Sequence, residues 1–149
     1  MKKISQIAIV YSSTRKTDEA LDKVTKIIES SDCKVVLSSN IKRLNLGSHK
    51  KASKADLILV LGGDGTMIGS IRNLYSLNVP FLGINSGTVG FLTDLSLSKI
   101  DNLKDILAGS FLMENRPIFE AFTSSRKKEI FLNEVVIHSG SVTKMLDLE

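Results

Sequence analysis

LILVLGGDGTMIGSI, running from Leu57 to Ile71, is the stretch from which the fold can be read. Five aliphatic residues in succession, Leu57 to Leu61, mark a buried strand, because a strand with one wet face would alternate apolar with polar residues. The run stops at Gly62-Gly63, an acid follows at Asp64, and after Gly65 and Thr66 the apolar spacing becomes helical. Strand, glycine turn and helix in that order form a phosphate-sized turn. Glycine lets the backbone approach an anion closely, and the first N–H groups of the following helix point at whatever sits there. An anion-binding turn has little use for a carboxylate as a binder, so Asp64 either caps the helix or handles a proton or a metal ion.

Outward from this turn, strands and helices alternate. Ile4 to Tyr11 reads as a buried strand, and Thr17 to Ser30 carries Ala20, Leu21, Val24, Ile27 and Ile28 at helical spacing. Lys34 to Leu37 is a short strand, a polar connection leads to Leu57, and Met67 to Leu77 is a helix ended by Asn78-Val79-Pro80. Phe81 to Ile84 is the next strand. Such alternation implies right-handed crossovers and an open, mainly parallel sheet with flanking helices, the α/β class. A second glycine cluster, GINSGTVGFLTDL with Gly83, Gly87 and Gly90, follows the Phe81 strand and faces the same carboxyl edge. Ser98 and Asp101 read as a capping box for a helix bearing Ile100, Leu103 and Leu107, stopped at Gly109.

From Phe119 the pattern becomes antiparallel β: strand, charged turn SSRKKE, strand IFLNEVVIHS, small-residue turn, strand MLDLE. The expected organisation is an α/β domain over residues 1–110 and the first strands of a β-rich second domain over 111–149. About 40 residues of meander would leave an open edge and little independent core, so the second domain is expected to be incomplete here or covered by another subunit.

Composition narrows the function classes. Of 149 residues, 42% are apolar and 24% charged, which excludes a disordered chain, and the net charge is +4. The densest lysine stretch, SHKKASK from Ser48 to Lys54, has no interleaved aromatics and reads as a solvated loop, not a nucleic-acid patch. No segment approaches the roughly 20 apolar residues needed to span a bilayer. Cys33 stands alone, which excludes a disulfide framework or thiolate cluster and fits a reducing, cytoplasmic setting. MKKISQIAIVYSS is too short and too interrupted for a signal peptide and reads as the first strand.

The Gly62-Gly63-Asp64-Gly65-Thr66 turn lacks the Gly-Lys-Ser/Thr of a Walker A loop and the G-x-G-x-x-G of a dinucleotide fold. What remains is a phosphate turn carrying a carboxylate, which suits phosphoryl transfer to a hydroxyl: the acid accepts the hydroxyl proton or helps hold Mg²⁺. Asn133-Glu134 interrupts an otherwise apolar strand, so one of the pair lies on each face. The two polar groups either bind ribose hydroxyls or a base, or belong to an edge strand with a solvated Glu134. His49 and His138 lack metal-ligand spacing, and Ser12 and Ser13 are ordinary turn residues that could also supply hydroxyls.

Three motifs together resemble the NAD kinases, in order, spacing and strand context: GGDGTMI from Gly62, GINSGTVGFLTDL from Gly83 and NEVVIHSG from Asn133. GGDG alone is shared with diacylglycerol-type lipid kinases and phosphofructokinases; the other two motifs separate them. The resemblance implies phosphorylation of the 2′-hydroxyl of the adenosine ribose of NAD, with ATP as donor and a divalent metal, Mg²⁺, as cofactor. It implies that Asp64 is the proton acceptor, that Gly65, Asn133 and Glu134 contact NAD, and that Lys144 does so by a looser match. Gly69 stands where some members place a ligand-contacting arginine. A dimer or tetramer is implied for the full-length enzyme, whose β-rich second domain continues past this point. Two other readings stand beside it: a lipid kinase sharing the glycine turn, and a noncatalytic nucleotide-binding module.

Overall fold

The computed structural model describes residues 3–87, 90–122 and 128–136. It divides into two compact units, Met1–Met113 and Glu114–Glu149. The first unit opens with β1 (Gln6–Tyr11), α1 (Arg15–Ser30), β2 (Lys34–Asn40) and α2 (Leu46–Ala52). It continues through β3 (Leu57–Leu61), α3 (Asp64–Leu74), β4 (Phe81–Asn85), β5 (Leu95–Ser96) and α4 (Leu103–Leu107). The strands form one sheet in the order β2-β1-β3-β4-β5, and every pair is parallel. The α/β reading with an open parallel sheet is thus borne out.

β3 lies in the middle of the sheet, and all five of its residues are buried, as an unbroken aliphatic run requires. Its odd positions, Leu57, Leu59 and Leu61, join Ile7, Ile9 and Ile84 in packing against Val24 and Ile28 of α1 and Leu103 and Leu107 of α4. Alternation sends Ala8, Val10, Ile58 and Val60, all fully buried, to the opposite face. There α2 lies against β1 and β2, and α3 against β3. Each Leu or Ile so buried contributes about 1.5–3 kcal/mol, so the two layers together set the sheet's position.

Several local expectations are corrected. SHKKASK is not a loop: most of it belongs to α2, whose N-cap Asn45 accepts the Ser48 N–H at 3.0 Å. Only Ser48 and Ala52 of this helix are buried, while Leu46 is exposed, so no apolar stripe announces it. The Ser98–Asp101 capping box does not form. Leu97–Asn102 is a 3₁₀ segment with a non-helical Lys99, the Ser98 hydroxyl pairs with that of Ser96 at 2.7 Å, and α4 begins only at Leu103. Gly109 does end that helix, at φ +99°. β2 runs to Asn40, three residues beyond expectation, because its ladder with β1 continues to Tyr11.

The second unit contains β6 (Phe119–Phe122) and β7 (Lys128–Phe131), paired antiparallel with Phe119 opposite Phe131. The two rings stack at 5.3 Å, and Lys128 pairs with Glu120 across the strands. β7 ends at Phe131, so Asn133 and Glu134 do not lie within a strand as the alternation implied. Asn133 lies in a bend, Glu134 follows it, and both are exposed. The expected strand MLDLE lies outside the described residues.

Candidate functional site

In a sheet of order 2-1-3-4-5 the chain leaves β1 in one direction and β3 in the other, and the crevice between their carboxyl ends is where ligands of such folds bind. Three segments meet at this edge: Ser12 to Thr14 after β1, the first glycine turn after β3, and the second after β4. The sequence expectation that both glycine turns share one edge is met.

Gly62 holds the first turn at φ +153°, and a Cβ there would lie 2.5 Å from Thr66 Oγ1 and 3.0 Å from Ser12 Oγ. Two hydroxyls therefore crowd the turn, one from the end of β1 and one from the first turn of α3. Around Gly63 and Gly65 the opposite holds: a Cβ on either would meet nothing within 4 Å, so these backbones face open space. Gly63 is the N-cap of α3 and supplies no side chain to it; the Thr66 N–H turns back to the Gly63 carbonyl at 2.9 Å, and no side chain caps the Asp64 and Gly65 N–H groups ahead of it.

Asp64 is the first residue of α3 and is not its cap, so the simpler reading of this acid does not hold. Its half-buried carboxylate turns to the second glycine turn instead. Oδ2 accepts the Phe91 N–H at 2.9 Å and Oδ1 the Leu92 N–H at 3.1 Å. An ionised carboxylate can accept about four hydrogen bonds, so both oxygens keep capacity for a substrate hydroxyl or a cation.

The second turn is tied down at its base. Asn85, buried at the end of β4, accepts the Gly87 N–H through Oδ1 at 2.7 Å and donates to Thr93 Oγ1 at 3.2 Å. Asp94 accepts the Gly83 N–H at 2.8 Å and donates its own N–H to the Gly83 carbonyl at 2.9 Å. Beside this turn a hydroxyl cluster spans two elements: Thr14 and Thr17 at the start of α1 lie 2.7 Å apart, and Ser86 is 3.5 Å from Thr17. Phe91 stands with its ring in solvent next to the amide held by Asp64.

Sequence reasoning found Gly62, Gly63, Asp64, Gly65 and Thr66, and the structure gathers them at this edge with Ser12. It did not find the Phe91 and Leu92 amides, which have no side-chain signature, or the Thr14, Thr17 and Ser86 hydroxyls. Asn133 and Glu134 belong to the second unit, and Lys144 lies outside the described residues. Among the described residues, no three His, Cys, Asp or Glu side chains gather into a metal cage. Cys33 is remote in function: burial pushes its thiol up from the usual range, and its Sγ lies 3.3 Å from the Ile4 carbonyl.

Known proteins resemble the chain in sequence and in fold. The chain is similar to NAD kinases of Nitrosomonas eutropha, 45% identical over 64% of this chain and 34% of the relative, and of Methylococcus capsulatus, 44% identical over 66% and 36%. It spans about a third of the length of the curated relatives it matches. Among solved structures it resembles an NAD kinase from Archaeoglobus fulgidus in complex with ATP, with a TM-score of 0.60, 20% identity, and coverage of 81% of this chain and 44% of that one. It also resembles yeast NADH kinase complexed with NADH, with a TM-score of 0.63, 16% identity, and coverage of 87% and 46%. Both likenesses concern the fold. Residues 6–111, which carry the whole parallel sheet and both glycine turns, match the profile of the ATP-NAD kinase N-terminal domain, and the chain therefore belongs to the ATP-NAD kinase family.

Proposed function

We propose that the chain serves an NAD kinase, transferring the γ-phosphoryl group of ATP to the 2′-hydroxyl of the adenosine ribose of NAD to give NADP and ADP. The observation that carries the reading is the carboxylate of Asp64 at the switch point, beside a glycine turn whose backbone faces open space. As the hydroxyl oxygen bonds to phosphorus and the bond to ADP breaks, Asp64 takes the hydroxyl proton. Positioning and charge stabilisation supply most of the acceleration in such transfers. The open backbone around Gly63 and Gly65 suits contact with phosphate oxygens, with the Thr66 and Ser12 hydroxyls beside it.

Mg²⁺ fits this donor set. The ion is commonly held by one or two carboxylates together with substrate phosphates and not by an all-protein cage. The substrate phosphates would hold most of it, and Asp64 is kept for the proton. When bound, the ion would neutralise charge on the phosphates.

For Asn133 and Glu134, both exposed, and for Lys144 we propose the NAD contacts that the family resemblance implies. Residues 1–110 are the phosphoryl-transfer domain and 111–149 the beginning of a β-rich one. A homo-oligomer in the cytoplasm completes the reading; exposed Phe119, Phe122, Val135 and Val136 are the apolar surface an assembly would cover. Among the described residues, no helix is long and apolar enough to cross a membrane.

The test is the purified chain with NAD, ATP and Mg²⁺, assayed for NADP by an NADP-specific dehydrogenase, with binding of each nucleotide followed by calorimetry. NADP formation supports the proposal. Binding without NADP assigns a nucleotide-binding module in place of the enzyme, phosphorylated diacylglycerol in a parallel assay assigns the lipid kinase, and the absence of both binding and turnover contradicts all three.

A further inference from the structure

We infer that Gly90 is the positioning residue for Asp64: the missing side chain at residue 90 lets the carboxylate seat on the N–H groups of Phe91 and Leu92, which fixes both of its oxygens. A Cβ on Gly90 would lie 2.1 Å from Oδ1, 2.4 Å from Cγ and 2.5 Å from Oδ2 of Asp64. The carboxylate as seated on these two amides and a Cβ at residue 90 exclude one another. Asp64 has a short side chain rooted in the first turn of α3, so it can relieve the clash only by swinging away and giving up both hydrogen bonds.

The need for glycine here is one of space, which any side chain at residue 90 would take from the carboxylate. The bracket that receives Asp64 is firm at its other end, where Asn85, Thr93 and Asp94 tie the turn to β4. The two glycine turns thus act as one unit joined through Asp64. The catalytic consequence rests on the reading of Asp64 as proton acceptor; the positioning itself does not.

A double-mutant cycle on the 149-residue chain separates the two. Gly90→Ala should lower Tm by roughly 6 °C or more beside Asp64, as loss of two charge-assisted hydrogen bonds implies, and by less than about 1 °C beside Asp64→Ala. If Gly90→Ala alone does not fold, the double variant should restore folding. In NMR spectra of the Asp64→Ala chain, the Phe91 and Leu92 amides should lose slow exchange while that of Gly87 keeps it. Equal loss of Tm in both backgrounds, no loss in either, failure of the double variant to restore folding, or unchanged amides at 91 and 92 would overturn the inference. Coupling without NADP formation leaves the positioning standing and removes the kinase; NADP formation without coupling does the reverse.

Discussion

Gly62 and Thr66 are in contact so close that the threonine hydroxyl lies 2.5 Å from where a Cβ on the glycine would be. The turn that ends β3 is therefore shaped twice over, by a φ of +153° that side chains avoid and by a hydroxyl that fills their space. Gly62→Ala should destabilise the chain by about 2–4 kcal/mol, combining backbone strain with the overlap. Urea denaturation measures it, and a loss below about 0.5 kcal/mol would show that the turn rearranges freely.

β3 predicts a second effect, in the core. Leu59 is fully buried at the centre of the sheet, and Leu59→Ala should cost about 2–5 kcal/mol by removing buried methyl groups and leaving a cavity. The same denaturation experiment reads it, with a matching fall in midpoint and an unchanged slope.

The capping of α2 is a milder and more local prediction. Asn45→Ala removes the acceptor for the Ser48 N–H and should cost about 1 kcal/mol. Hydrogen exchange should quicken at Ser48 and His49 while amides of β3 keep their protection.

The legible parts of the fold were those with a period. The unbroken run of β3, the stripe of α1 and the paired glycine clusters each state a strand, a helix or a turn, and each stands where expected. What stayed hidden had no apolar signature. α2 buries only a serine and an alanine, and its identity rests on one asparagine side chain. The Ser98–Asp101 pair matched a capping pattern, yet the backbone at Lys99 departs from helical geometry and the serine bonds Ser96 instead. Asn133-Glu134 looked like part of a strand because the residues after it are apolar, whereas the ladder with β6 runs out at Phe131. At the site, the acid was legible and its partners were not, since backbone amides read the same in every sequence.

Alkaline pH gives a fourth prediction, through Cys33. Burial raises its thiol in the folded chain, so the unfolded chain gives up this proton at lower pH than the folded one. With fewer protons bound in the unfolded state, stability is intact below the ordinary thiol range near pH 8.5 and declines as pH rises through and above it. A comparison with Cys33→Ser over pH 7 to 10 isolates the effect: the serine variant should lose less stability on the alkaline side.

The central claim is that Asp64 accepts the proton of the ribose 2′-hydroxyl, and the rate of NADP formation by Asp64→Asn tests it most directly. Asparagine keeps the shape and removes the acceptor, so turnover should fall by roughly 10²–10⁴-fold with the chain still folded by circular dichroism. A folded Asp64→Asn variant that makes NADP at nearly the original rate would contradict the account.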